Sequence, residues 1–408
     1  MYIREQYLQR LRPFYRNEEI KILTGVRRAG KTELLKMIRR ELLSVTDEKH
    51  IVYLSLELLE NRKYRDAVVL YEYLESCIVD REMHYIFLDE IQFVENWPEV
   101  VNSLKVKYRN VSLFVTGSNS DLLADDKERV LGGRTLNFRI MPFSFSEYYD
   151  YRTKLQGYAP DLEVEFSNYM RWGGFPLIFM ESDDELKQVM LESVFDSIVL
   201  RDIVAKLKLK NSYQLERIID YIIASTGNYI SGRSITERFG AEQSDSASLP
   251  KILEYIHAIE HSCVVSIVPR FDVIGLKVLE FNNKSYACDP AFINYKKSLV
   301  SDLYGSIYET IVYNELIACG YTVRTGSVFG TGIDFVATRK QNEILYIQVA
   351  YEITNSNRDR EFGNLAAIKD NYPKMVISRD KVPLSQKGII HQNIIDFLMR
   401  NYTRQMLS

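Results

Sequence analysis

Gly25-Val26-Arg27-Arg28-Ala29-Gly30-Lys31-Thr32 is the stretch on which the reading of this chain turns. It follows an apolar run, Ile20–Thr24, that reads as a strand, and it opens an amphipathic pattern, Lys31–Leu43, that reads as a helix. The two glycines let backbone N–H groups turn inward around an anion, and the helix N-terminus adds a favourable dipole. With Lys31 and Thr32 directly after Gly30, the stretch matches the phosphate-binding pattern G-x-x-x-x-G-K-[ST]. The backbone of Gly25, Val26, Arg27, Arg28, Ala29 and Gly30 is expected to cradle phosphate oxygens. Lys31 is expected to reach the β- and γ-phosphates, and Thr32 to ligate magnesium. The implied ligands are ATP or a close relative with Mg2+.

Working outward, Tyr85-Ile86-Phe87-Leu88-Asp89-Glu90 is an apolar strand ending in two acids. In an open α/β sheet that ending lies at the carboxyl edge, where ligands bind. Asp89 is expected to hold the magnesium through water, and Glu90 to orient and deprotonate the attacking water. The next strand, Val111–Thr116, ends in Gly117-Ser118-Asn119-Ser120, small polar residues suited to a γ-phosphate or a lytic water, with Asn119 and Ser118 the better candidates. His50–Leu56 is a further strand candidate. Strands separated by helical stretches imply parallel pairing with both sheet faces covered.

The 408 residues are 46% hydrophobic with a net charge of −3, so no global basic field points to nucleic acid, and such contact requires local patches. Cys77, Cys263, Cys288 and Cys319 are scattered and form no C-x-x-C pair, which excludes zinc spacing of that kind and fits a reducing compartment. The opening residues Met1–Gln6 carry no apolar signal core, and no run approaches the length needed to cross a bilayer. A soluble, cytoplasmic protein without membrane contact is expected.

Residues 1–150 are expected to form the phosphate-binding core, closing near Met141-Pro142-Phe143-Ser144. Residues 151–210 read as a mostly helical lid, interrupted by Gly173-Gly174-Phe175-Pro176. In 211–298, helix patterns at Tyr213–Ser225, Ser234–Phe239 and Leu249–His261 precede strand-like runs at Cys263–Val268 and Leu276–Phe281, the order of a winged helix-turn-helix. Residues 299–408 read as another α/β unit. It has a helix carrying Glu309, strands at Thr322–Thr325, Ile333–Thr338, Ile344–Ala350 and Lys374–Ser378, and helices at Asn364–Asp370 and Ile390–Met399.

Gly25–Thr32, Asp89-Glu90 and Thr116–Ser120 together resemble the AAA-type P-loop ATPases. More closely, the chain is similar to a large prokaryotic family of AAA-type ATPases with a C-terminal restriction-endonuclease-like domain. That match continues through Gly133-Arg134, Pro142–Tyr148, Gly173–Pro176 and Arg201-Asp202-Ile203 and covers essentially the whole chain. The resemblance implies ATP as nucleotide, Glu90 as catalytic base and a polar sensor at Ser118 or Asn119. It also implies an arginine against the γ-phosphate, in cis or from a neighbouring subunit. Arg134 is the first candidate, with Arg129 and Arg201 behind it.

The nuclease-like part departs from its pattern. Glu309, Asp334 and Gln348 match the acid, acid and amide positions, but Ala350 stands where a lysine is expected. Loss of that charge-stabilising group costs a factor of roughly a hundred or more in rate, so a degenerate domain without strong nuclease activity is expected. Helix Leu249–His261 carries Lys251 as its one formal cation, against Glu254 and Glu260. The basic run Ala205–Lys210 is the better phosphate-tracking candidate. Three readings follow: an ATP-driven switch acting on or near DNA or RNA; an ATP-gated scaffold binding protein partners, with homo-oligomers included; and an active metal-dependent nuclease coupled to the ATPase.

Overall fold

The computed structural model describes every residue except 1, 118–129, 205–206, 210–211, 241–247, 298–302, 340–342 and 401–408. For 200, 201, 240, 280–282, 297 and 400 it describes the backbone alone. The chain divides into two compact units. One comprises Met1–Ile140 with His261–Cys263, the other Met141–Glu260 with Val264–Ser408. After Ile140, Ser144 caps the helix Phe145–Gln156 in a reciprocal box with Glu147.

The first unit is a five-stranded sheet of β1 (Ile20–Thr24), β2 (Ile51–Ser55), β3 (His84–Asp89), β4 (Val111–Thr116) and β5 (Thr135–Arg139), in the order β2-β3-β4-β1-β5. Every pairing is parallel. Strands β1, β3 and β4 are buried at every position, as expected where helices cover both faces. The helix Lys31–Leu43 buries Leu34, Leu35, Ile38 and Leu42, one stripe at helical spacing. Around Ile22, Leu54, Leu88, Trp97 and Val115 the apolar side chains form one continuous core. Strand β5 is the element that the sequence pattern did not reveal. Its Leu136, Asn137 and Phe138 lack a clean period, and only the parallel pairing with β1 defines it.

In the second unit the eight-stranded sheet runs β13-β12-β11-β10-β9-β7-β8-β6. Its strands are β6 (Tyr229–Ile230), β7 (Val265–Asp272), β8 (Lys277–Ala287), β9 (Thr322–Val328), β10 (Thr331–Arg339), β11 (Glu343–Val349), β12 (Lys374–Ser378) and β13 (Ile390–Asn393). The expected division at 298/299 does not interrupt this sheet, because β7 pairs in parallel with β9 at Arg270↔Thr325 through Asp272↔Ser327. Two expected helices differ. The helix expected at Asn364–Asp370 lies at Arg358–Ala366, and Ile390–Asn393 is a strand paired with β12 before the helix Ile394–Arg400 begins. Helix Tyr304–Ala318 is apolar almost all round and correspondingly buried all round. Among the described residues, no helix is long and apolar enough to cross a membrane.

Candidate active site at the P-loop edge

The loop after β1 is shaped by backbone that side chains resist. Gly25 has φ +144, and a Cβ there would lie 2.1 Å from the Ile140 carbonyl oxygen, so only glycine fits. Arg28 (φ 67) and Gly30 (φ +92) complete the left-handed turns that bring the chain into the helix Lys31–Leu43. Behind the loop, the buried Arg4 guanidinium donates to the Ala29 carbonyl at 2.9 Å, and Arg27 pairs with Glu57 at 3.1 Å. Lys31 is buried, and its Nζ donates to the carbonyls of Gly25 (2.8 Å) and Val26 (3.0 Å).

Register brings the acids to this edge. Ser55↔Asp89 closes the β2–β3 pairing, and Leu23↔Thr116 sets the end of β4 beside the end of β1. The Thr32 hydroxyl lies 3.1 and 3.0 Å from the two Asp89 carboxylate oxygens. Thr116 Oγ1 donates to Asp89 Oδ1 at 2.5 Å and accepts the Glu90 backbone N–H at 3.0 Å, so one hydroxyl ties both acids together. The Tyr53 hydroxyl also donates to Asp89, at 3.3 Å; burial first, then the Asp89 charge, pushes the phenol well above its ordinary range. Glu90 adopts a left-handed backbone (φ 57), and its carboxylate accepts from the Gln92 side-chain amide.

Ser118, Asn119, Ser120 and Arg129 lie outside the described residues, as does the Arg201 side chain, whose backbone is in the π-helical turn Ile198–Val204. Arg134 is exposed and sits at the wrong edge of the sheet to serve its own P-loop. Its carbonyl accepts from Ile20 N–H at 2.8 Å, at the start of β1, and Thr135 is in register with Ile20. Four strand steps of about 3.3 Å each separate that level from Thr24, beyond the reach of an arginine. The residue in register with Thr24 is Arg139. Sequence reasoning missed it because β5 itself was not legible.

The acids of the second unit converge as well. A register shift in the β9–β10 pairing between Ile333 and Val336 carries Asp334, a local irregularity of the kind that re-aims a side chain. Asp334 accepts the Val349 N–H at 2.9 Å. Lys284, from β8, reaches Glu309 at 2.8 Å and Asp334 at 3.0 Å, and Tyr286 donates to Glu309 at 2.9 Å. Burial first, then the negative charge of Asp334, pushes the Glu309 carboxyl up, and Lys284 opposes that. Gln348 Oε1 is buried without a hydrogen-bond partner among the described residues, and burial pushes the Glu361 carboxyl up against the opposing pull of Arg360, which pairs with it. An ammonium is therefore present, but it comes from Lys284 and not from position 350. No signal in the sequence linked Lys284 to Glu309, since they meet only where the helix Tyr304–Ala318 packs against β8. Lys251 pairs with Glu254 at 2.8 Å, and the basic run 205–210 falls largely outside the described residues.

Residues 17–149 match a family model described as an AAA domain, and residues 163–302 match one described as a domain of unknown function (DUF8612). An uncharacterised protein of Haemophilus influenzae is 33% identical over 403 residues, covering 98% of this chain and 99% of its own. Another, from Methanocaldococcus jannaschii, is 28% identical over 364 residues, covering 86% of this chain and 79% of its own. Similar solved structures include Cdc6p of Pyrobaculum aerophilum (TM-score 0.31, 14% identity, 76% of this chain and 94% of that one). The Orc1 protein of Aeropyrum pernix in complex with DNA has a TM-score of 0.32 at 14% identity, with 72% and 92% covered. On the near-full-length match this chain belongs to one family with the Haemophilus influenzae protein, and its residues 17–149 carry an AAA domain built on a parallel α/β core with a P-loop.

Proposed function

We propose that the chain binds ATP with Mg2+ at the carboxyl edge of the β2-β3-β4-β1-β5 sheet and hydrolyses it. The observation that carries this reading is the approach of Thr32 Oγ1 to both Asp89 oxygens, two groups 57 residues apart in sequence. The residues fit the ligand: a glycine turn that no Cβ can enter, a lysine on exchangeable carbonyls, and a hydroxyl facing a carboxylate. Mg2+ held by Thr32 and, through water, Asp89 would neutralise charge on the phosphates. Lys31 exchanges the carbonyls of Gly25 and Val26 for phosphate oxygens. Glu90 orients the attacking water and takes its proton, with Gln92 holding the carboxylate and Thr116 holding the Glu90 backbone. Asn119 is proposed as the polar sensor. Arg134, on the opposite sheet edge, is left only a neighbouring subunit's nucleotide, which makes homo-oligomers part of the proposal. Four cysteines outside any disulfide favour a cytoplasmic setting.

Steady-state ATPase measurement tests this. Glu90→Gln is expected to keep ATP binding while turnover falls by about a hundredfold or more. An unchanged rate in that variant removes Glu90 from the base role.

For the second unit, three helices at Tyr213–Ala224, Gly232–Gly240 and Leu249–His261 followed by the β7–β8 hairpin favour a winged-helix reading. The Glu309–Asp334–Gln348 cluster favours a nuclease-like ancestry with degenerate chemistry, because Lys284 already supplies the cation between its acids. Coupling of ATP hydrolysis to nucleic acid is the first reading. A specific observation favours the second, a protein partner. The third helix exposes Leu249 and Leu253, and its one lysine is already paired with Glu254. Readers of base edges carry Arg, Lys, Asn or Gln there. Binding to DNA and RNA measured across salt, with and without ATP, separates them: steeply salt-dependent binding supports the nucleic-acid reading, and none at low salt supports the scaffold.

A further inference from the structure

The amino edge of the first sheet, opposite the P-loop, holds a second cluster that ATP chemistry does not use. His50 precedes β2 and His84 opens β3; they are two of the chain's five histidines, and both are buried. Their rings meet edge-on at 80° with centroids 4.8 Å apart. His50 Nε2 lies 3.0 and 2.8 Å from the two oxygens of Asp80, which is partly exposed. One nitrogen from each ring and a carboxylate oxygen all fall within 4.8 Å of one another.

We propose that His50, Asp80 and His84 bind one divalent d-block metal ion of the zinc class. Two imidazoles and a carboxylate are the donor set such ions take, with a fourth position left for water on the exposed Asp80 side. Hard cations such as Mg2+ prefer all-oxygen sites and are served at Thr32 and Asp89 instead.

The outer partners point the same way. His84 Nδ1 is 2.8 Å from the Glu82 carbonyl, so it carries the proton and presents Nε2 as the lone-pair nitrogen. A ligating histidine is generally oriented by such a bond. Asn110 fixes the turn that carries Asp80 and Glu82, donating to their carbonyls at 3.1 and 2.8 Å. Three contacts must yield to the metal. The His50 Nε2–H donated to Asp80 gives its proton to solvent, His84 Nε2 accepts the Val79 N–H at 3.2 Å, and Lys49 Nζ lies 3.3 Å from Asp80. Metal–ligand bonds of about 2.0–2.2 Å require the three ligand atoms to close by about 1 Å. The turn 79–83, with Asp80 at its exposed side, is the part that moves. The bound ion would clip the entries of β2 and β3 together.

The test uses the full-length chain after chelator treatment, titrated with Co2+ while its visible d–d absorption is followed, then with Zn2+ as competitor in excess Mg2+. Expected are one Co2+ per chain, the intensity of a four-coordinate nitrogen–oxygen site, displacement by Zn2+ and indifference to Mg2+. His84→Gln should weaken binding by at least about tenfold. Asp80→Asn, at a more exposed position that leaves the core untouched, should do the same, and Zn2+ should raise the melting temperature of the wild type but not of this variant. Absence of Co2+ binding in the wild type, displacement by Mg2+, or undiminished binding in Asp80→Asn overturns the proposal.

Discussion

Lys31 and Lys284 are both buried, and their surroundings make them opposites. Lys31 rests on two neutral backbone carbonyls that can give it up to a stronger acceptor without leaving a charge stranded. Lys284 is clamped between two carboxylates and is neutralised already. Although burial works against its charge, Asp334 and Glu309 outweigh it and hold the ammonium above the ordinary lysine range. A lysine parked on carbonyls is available to a ligand; a lysine between acids is part of the fold. The same residue type at similar burial thus marks a candidate ligand site in one unit and an ion triad in the other.

The largest effect that could break this comparison lies with Lys284. Lys284→Ala should cost about 3–5 kcal/mol of stability, because it strands Glu309 and Asp334 in the interior; urea titration measures it, and a loss near zero would mean the clamp is not structural. Next is Lys31→Ala. Nucleotide affinity should fall by about a hundredfold by fluorescent-analogue titration, with little change in melting temperature, since the carbonyls it leaves are neutral. A third and smaller effect separates two arginines. Arg139→Ala should slow hydrolysis by about tenfold. Arg134→Ala should do so only where chains associate, which turnover measured against protein concentration would show.

The smallest effect is a slope. Lys21, buried in β1 with its Nζ 2.7 Å from Ser112 Oγ, is pushed down to about 7, chiefly by burial and then by Lys105. Its folded value lies below its unfolded one, so between pH 7 and the ordinary lysine range the unfolded chain binds more protons, and stability rises with pH across that window. Lys21→Met should flatten that rise in thermal melts. An unchanged slope would mean Lys21 is not the group responsible.

What could be read from the sequence was what is local in it. Ile20–Thr24, Val111–Thr116 and Lys31–Leu43 occupy the expected spans, and the convergence of Thr32 with Asp89 follows once two strand ends share an edge. What escaped depends on partners distant in the chain. β5 exists by pairing with β1, β13 by pairing with β12, and Lys284 meets Asp334 across 50 residues. Arg134 was assigned by motif neighbourhood, and the register of β5 then put it at the far end of its strand. Periodicity carries burial, but it does not carry register.

The left-handed backbone at Glu90 has a cost of its own. A side chain with a Cβ is disfavoured at φ 57, whereas glycine or asparagine tolerates it. Selection for foldedness alone would therefore drift this position toward a residue that cannot accept a proton from water. On the base role proposed for Glu90, variants ranked by thermal resistance alone would be rewarded for silencing the chain, and only a screen that also demands turnover would keep the acid.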